Sequence, residues 1–279
     1  MPSPGSGPAS VALDTESVPS IGFGTYDLPA EVCTPSVAAA LSVGYRHVDT
    51  AEMYGNEAAV GRAIEDADVE RDAVVVATKI HSRNLSFEDV LAHADACRER
   101  LGVETIDLLY VHWPIRAYDP DETLAAFDEL HDRGTIRAVG VSNFTPTLLS
   151  EAMDVLDAPL SAHQVECHPL LQQDDLRRMA REHDHYLVAY SPLAKGAVTD
   201  DPVIQDVAAA HDATPAQVSL AWLLSKEHVV PIPRSSSATH IEENLAARTI
   251  ELDPSAIERI DAIDRTDRQV DPPEAPWNR

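Results

Sequence analysis

The chain has 279 residues, 44% of them hydrophobic, with 47 acidic against 21 basic side chains and a formal net charge of -26. This length and apolar content suffice for a core of one large domain, so disorder is not the starting assumption. So negative a surface repels phosphate, which argues against a nucleic-acid partner.

The acids are spread along the chain rather than massed in a tail, so they do not read as an interaction arm. Lysine occurs only at positions 79, 195 and 226, and arginine carries nearly all the positive charge. A dispersed acidic coat with few lysines is the pattern of proteins that work in concentrated salt, a halophilic character. Lowering salt lengthens the Debye length from about 3 Å at 1 M to about 10 Å at 0.1 M, and carboxylate repulsion grows with it. Activity and the thermal unfolding transition are therefore expected to weaken in dilute buffer. A melting temperature unchanged between dilute buffer and molar KCl would contradict this.

In chain order, residues 1–9 are rich in Pro, Gly and Ser and read as a mobile leader, with the folded unit spanning 10–279. Residues 10–20 alternate loosely and could form a hairpin. From Ile21-Gly22-Phe23-Gly24-Thr25-Tyr26 onward, apolar runs rich in β-branched residues alternate with segments of helical period. The strand-like runs are 21–24, 45–48, 73–78, 106–111, 136–141, 161–165, 186–190 and 229–233. Helical segments fill the gaps at 37–43, 57–67, 86–101, 122–133, 174–183, 203–211 and 256–263. Thr145-Pro146, Thr214-Pro215 and Asp253-Pro254 each place a capping side chain before a proline at the first helical position. Buried strands alternating with helices predict a parallel sheet. Eight such units at this length predict an α/β fold of the closed (β/α)8 TIM barrel type, in a single domain. No run is apolar for long enough to cross a bilayer, and no basic-then-apolar signal opens the chain. Three distant cysteines without Cys-x-x-Cys spacing fit a reducing, cytoplasmic setting. A monomer is expected.

In a parallel barrel the residues following every strand share one face, where loops build active sites. Here those residues are Asp49, Lys79, His112, Ser142 with Asn143, Gln164 with Glu166, Ser191 and Arg234. Asp49 and Tyr54 alone are weak evidence, since both types are common in loops. Their convergence with the others makes a site. Lys79 would enter a partly desolvated mouth and should pair with an acid, for which Asp49 is the natural partner. Its charge would then lower the Tyr54 phenol from about 10, and His112 would donate to a substrate oxygen. Metal binding is the competing reading, because His47, His112, His163 and His168 exist. No His-x-His or His-Glu-x-x-His spacing supports it, so no metal site is expected.

The residues carrying this pattern resemble the aldo-keto reductase superfamily along nearly the whole chain. The matching segments include Gly22-Phe23-Gly24-Thr25-Tyr26, Asp49-Thr50-Ala51-Glu52-Met53-Tyr54-Gly55-Asn56-Glu57, Thr78-Lys79 and Leu109-Tyr110-Val111-His112-Trp113-Pro114. They continue with Gly140-Val141-Ser142-Asn143-Phe144, Gln164-Val165-Glu166, His168-Pro169, Ala189-Tyr190-Ser191-Pro192-Leu193 and Ile232-Pro233-Arg234-Ser235. The resemblance implies a nicotinamide cofactor bound without a Rossmann fold, and no Gly-x-Gly-x-x-Gly follows any strand here.

By that resemblance, Tyr54 is the general acid and base, Lys79 and Asp49 tune it, and His112 orients the carbonyl. Gly24, Thr25, Tyr26 and Asp49 join the cofactor site. Ser142, Asn143 and Gln164 bond the carboxamide, and Tyr190 stacks on the nicotinamide. Ser191 and Leu193 line the pyrophosphate, as does Lys195, a poorer match. Arg234, Ser235, Glu243 and Asn244 fall at the adenosine end, with His240 where NADP-binding members keep a second cation. The implied cofactor is NADP(H), with NAD(H) also used. The implied substrates are small carbonyl compounds or alcohols, as in bacterial and archaeal members with broad aldehyde and keto-acid ranges. A short tail after Asp264 predicts an open pocket. A non-catalytic, cofactor-sensing protein on the same barrel is the alternative, since fold does not fix function.

Overall fold

The structure is a computed structural model and describes residues 19–278. The leader at 1–9, and residues 10–18 of the possible hairpin, lie outside the described residues. Among the described residues, eight strands form one sheet in chain order. They are β1 (Phe23–Gly24), β2 (His47–Asp49), β3 (Val75–Ile80), β4 (Ile106–Val111), β5 (Ile136–Ser142), β6 (Leu160–Glu166), β7 (Tyr186–Tyr190) and β8 (Val229–Pro231). Every neighbouring pair is parallel. The amides of Gly22 and Gly24 donate to the carbonyls of Pro231 (2.9 Å) and Pro233 (3.1 Å), which joins β8 back to β1 and closes the barrel. Gly24 is needed at that seam, because a Cβ there would lie 2.9 Å from the Ile232 carbonyl oxygen.

The helices are α1 (Ala30–Val43), α2 (Glu57–Glu65), α3 (Phe87–Leu101), α4 (Pro120–Asp132), α5 (Pro146–Val155), α6 (Asp174–Glu182), α7 (Pro202–Ala210), α8 (Pro215–Leu224), α9 (Ala238–Ala246) and α10 (Pro254–Asp261). The three caps expected before proline form: Thr145 and Asp253 accept N3 amides, and Thr214 makes a full capping box with Gln217. Asp119 and Asp201 cap α4 and α7 in the same way, each also followed by proline at N1. α1 starts seven residues before the expected 37, with Pro35 inside it. A proline there removes one intrahelical bond. Burial of Cys33, Val37, Ala40 and Leu41 on one face offsets that loss.

Strand alternation sends every second side chain into the barrel. Ala77, Leu108, Tyr110, Ala138, Ala162, Val188, Val230 and Ile232 form this inner cluster, separate from the larger core between sheet and helices. Gly140 makes room for it, since a Cβ there would stand 2.4 Å from the Tyr110 ring. β3 runs two residues past its expected end, pairing Lys79 with Tyr110 and Ile80 with Val111. Lys79 therefore lies inside the strand, two residues above Ala77 on the inner face. β8 stops at Pro231, short of the expected 233, because Pro231 and Pro233 have no amide to donate.

Candidate active site

Four expected residues meet at the C-terminal end of the barrel. Lys79 is fully buried, and its Nζ donates to Asp49 Oδ1 at 2.5 Å and to the Thr50 carbonyl at 2.6 Å. The second Asp49 oxygen accepts from Gln164 Nε2 at 2.7 Å. Tyr54 closes a short 3-10 turn, Glu52–Tyr54. Its half-buried ring stands edge-on to His112 (5.9 Å between centroids) and to Tyr26 (5.2 Å), with Lys79 Nζ 5.2 Å from its centroid.

The electrostatics correct one expectation. Lys79 does not pull the phenol down. Burial, then the charge of Asp49, raises the Tyr54 pKa well above its ordinary 10. The reason is geometric: the ammonium is spent on Asp49 and Thr50, so the pair shows the phenol little net positive charge. Burial lowers Lys79 itself, while Asp49 opposes that. Burial, followed by Lys79 and His81, holds His112 well below 6.5, so its ring is neutral.

The amide-bearing residues also come together. Asn143, at a left-handed φ of 65°, donates through Nδ2 to the His112 carbonyl (2.9 Å) and to Ser142 Oγ (3.0 Å). Its Oδ1 accepts from the Tyr190 hydroxyl at 2.8 Å, which fixes the tyrosine ring at the mouth. Ser191 and Leu193 follow on the same loop, both half-buried. Thr25 is buried and gives its hydroxyl to the Asp49 carbonyl (3.0 Å), while Tyr26 is 58% exposed at the rim. Arg234 is exposed; its Nε donates to the Tyr26 carbonyl (3.2 Å) and its Nη2 lies 3.4 Å from Asp27. Ser235 Oγ accepts from the Ser237 amide at 3.0 Å. His240, Glu243 and Asn244 sit apart on α9, exposed, half-buried and buried respectively.

At the rim, Lys195 Nζ donates to the Gln269 carbonyl at 3.0 Å. One expectation changes: the pocket is not open on every side. The tail folds back because the buried Glu166 carboxylate accepts the amides of Gln269 (2.6 Å) and Val270 (2.8 Å), besides His168 Nε2 (2.9 Å). The Trp277 ring then packs at a tilt against Trp113, directly after His112, with centroids 5.6 Å apart. Burying a carboxylate demands donors, and the tail supplies two.

Reasoning from sequence missed three supports beside Tyr54. Asn56 ties Thr50 to the Thr25 and Leu28 carbonyls. Glu57 accepts from Thr78 and Arg100 at 2.6 Å each. Glu52 holds the His81 amide (2.9 Å), Asn84 (3.1 Å) and His93. The signal was present, since all three acids and amides lie in the quoted Asp49–Glu57 segment. As for the metal reading, His168 is bound to Glu166, His163 accepts from the Phe144 amide, and no group of ligand-type side chains forms among the described residues.

The sequence pattern of the aldo/keto reductase family matches residues 20–265. The chain belongs to the aldo-keto reductase family. It is 37% identical over 266 residues to an aldo-keto reductase of Mycolicibacterium smegmatis, covering 95% of this chain and 96% of that one. It is likewise 37% identical over 259 residues to methylglyoxal reductase DkgB of Escherichia coli O157:H7, covering 92% and 97%. Among solved structures it matches one provisionally described as 2,5-diketo-D-gluconic acid reductase B (TM-score 0.91, 32% identity, 95% of both chains). Another match is MGS-M4, an aldo-keto reductase from a Medee basin deep-sea metagenome library (TM-score 0.86, 32% identity, 90% and 93% covered). This aldo-keto reductase therefore belongs to an oxidoreductase family that uses nicotinamide cofactors.

Proposed function

We propose that this aldo-keto reductase reduces the carbonyl of small aldehydes, ketones or keto acids, preferring NADPH, with Tyr54 as proton donor. The observation that carries the reading is the Tyr54 phenol ring standing edge-on to the His112 imidazole, with the buried Lys79–Asp49 pair against it. Bound at this end of the barrel, a nicotinamide supplies the two reducing electrons. Tyr54 gives its proton to the carbonyl oxygen as negative charge develops there. His112, neutral, donates a hydrogen bond to the same oxygen and orients it. Lys79 is a positioning residue that holds Asp49 and fixes the β2–β3 end. The tail and the Trp113 ring limit water on one side. A panel of carbonyl compounds followed by cofactor absorbance tests the reading, and no oxidation with any of them would defeat it.

The residues present fit the cofactor. Tyr190 offers a ring held by Asn143, and Ser142, Asn143 and Gln164 put amide and hydroxyl groups beside it. Arg234 is the cation for a 2′-phosphate, a planar guanidinium suited to a forked contact with phosphate oxygens. Its partner at the second position, His240, is shorter and exposed. The preference for NADPH is therefore modest, and NADH is used as well. Arg234→Ala is expected to cost about 1.5 kcal/mol in NADPH efficiency, roughly tenfold, and little with NADH. The loss stays this small because Asp27 already shares the guanidinium. Equal losses with both cofactors in steady-state kinetics would mean that Arg234 does not read the 2′-phosphate.

The pKa directions give a pH profile. A phenol raised above 10 keeps its proton through neutral and moderately alkaline pH, and an imidazole held below 6.5 stays neutral down into acid. Neither group should therefore limit carbonyl reduction between about pH 6 and 9. Alcohol oxidation needs the phenolate as base and should rise with pH over that interval. An alkaline limb in reduction centred near about pH 8 would restore the lysine-lowered phenol.

A further inference from the structure

We propose that Arg268 holds the carboxylate of the substrate, so that the preferred carbonyl compounds are anionic acids; this rests on the reductase reading above. Arg268 directly precedes the two residues whose amides bind Glu166, so its backbone is tied to the end of β6. Its guanidinium lies 4.0 Å from the centroid of the Trp277 ring, which meets the ring of Trp113, next in the chain to His112, at a tilt. The Trp277 indole N–H donates to Asp271 at 2.9 Å, and Asn278 donates to the same carboxylate oxygen at 2.7 Å. The wall that carries the charge is thus built from the tail and fastened at both ends.

The pairing pattern is what sets Arg268 apart. Acids outnumber bases by 47 to 21 in this chain. Yet among the described residues Arg268 has no carboxylate within ion-pair distance and no hydrogen-bond acceptor, although it is half-buried. The other arginines without an acidic partner are Arg62, Arg83, Arg181 and Arg248, all exposed, and Arg46, which donates to backbone carbonyls. Asp271, the nearby acid, feels the Arg268 charge but takes its hydrogen bonds from Trp277 and Asn278, not from the guanidinium. A guanidinium lying over an indole ring leaves its N–H donors free to receive a carboxylate in a forked contact. The indole faces beside it suit the body of a small organic acid.

Two probe substrates differ only in that charge: 4-carboxybenzaldehyde and methyl 4-formylbenzoate. Their kcat/KM values are to be measured with NADPH, at one fixed KCl concentration, for the parent, Arg268→Met and Arg268→Lys. Methionine keeps an apolar stem against Trp277, and a thermal melt of each variant reports folding. The parent should favour the acid, and Arg268→Met should lose about ten- to a hundredfold on the acid but less than about threefold on the ester. Arg268→Lys should retain part of the preference. Benzoate titrated against tryptophan fluorescence, with no turnover involved, should quench the parent saturably and Arg268→Met much less. Equal losses on acid and ester would make Arg268 a support of the tail and overturn the proposal. So would an unchanged preference with unchanged quenching. If the parent reduces neither compound, the reductase reading is what has failed, and the benzoate titration alone decides Arg268: quenching lost in Arg268→Met supports it, and quenching kept overturns it.

Discussion

Tyr54→Phe is expected to lower turnover by about a hundredfold or more while leaving cofactor affinity close to that of the parent. The phenyl ring would keep the two edge contacts that seat Tyr54, to Tyr26 at 5.2 Å and to His112 at 5.9 Å. Only the hydroxyl is lost, so the fold and the cofactor side of the cleft have no reason to move. Water could enter but would be an unaligned donor, and the negative charge on the carbonyl oxygen would meet only the His112 hydrogen bond. Measuring kcat together with NADPH binding by fluorescence separates the two effects. Turnover within about threefold of the parent would remove Tyr54 from the acid role.

Much of this arrangement was legible in the sequence because barrel geometry is repetitive. Each apolar run ends on the same face, so Asp49, Lys79, His112, Ser142 and Gln164 could be grouped before any contact was known. Proline after Thr or Asp marked helix starts for a local reason, a capping oxygen one residue before a missing amide. What stayed hidden was non-local. Gln164 and Asp49 are 115 residues apart, and only the closed barrel brings Nε2 within 2.7 Å of the carboxylate. The direction of the Tyr54 shift was also hidden, because it depends on which group takes the Lys79 charge first. The tail was misjudged from its length. Its course is set by the buried Glu166 carboxylate needing donors, which the residues after Asp264 do not announce. α1 begins well before the helical segment legible at 37–43, because the buried face of Cys33, Val37, Ala40 and Leu41 carries the helix through Pro35.

The same buried pair sets the largest expected effect on stability. Lys79→Met should destabilise the fold by about 3–5 kcal/mol, because removing one partner of a buried ion pair leaves the other uncompensated. Asp49 would keep only the Gln164 donor at 2.7 Å for a carboxylate almost wholly out of water. The Thr50 carbonyl would lose its donor as well. The size of the loss belongs to the orphaned charge and not to the worth of the pair, so a second change distinguishes the two. Lys79→Met combined with Asp49→Asn removes both charges, and most of the stability should return, so that the two single losses together far exceed the double loss in a double-mutant cycle. Turnover should not return with it. In the double variant Tyr54 would sit beside a neutral amide and a thioether, without the fixed ammonium and carboxylate that position the end of β3 against its ring. Chemical denaturation with matched kcat measurements on the four proteins checks both halves. If the single variant were as stable as the parent, Asp49 would have to be satisfied by something other than Lys79. If the double variant regained full turnover, the pair would be a structural tie with no part in positioning Tyr54.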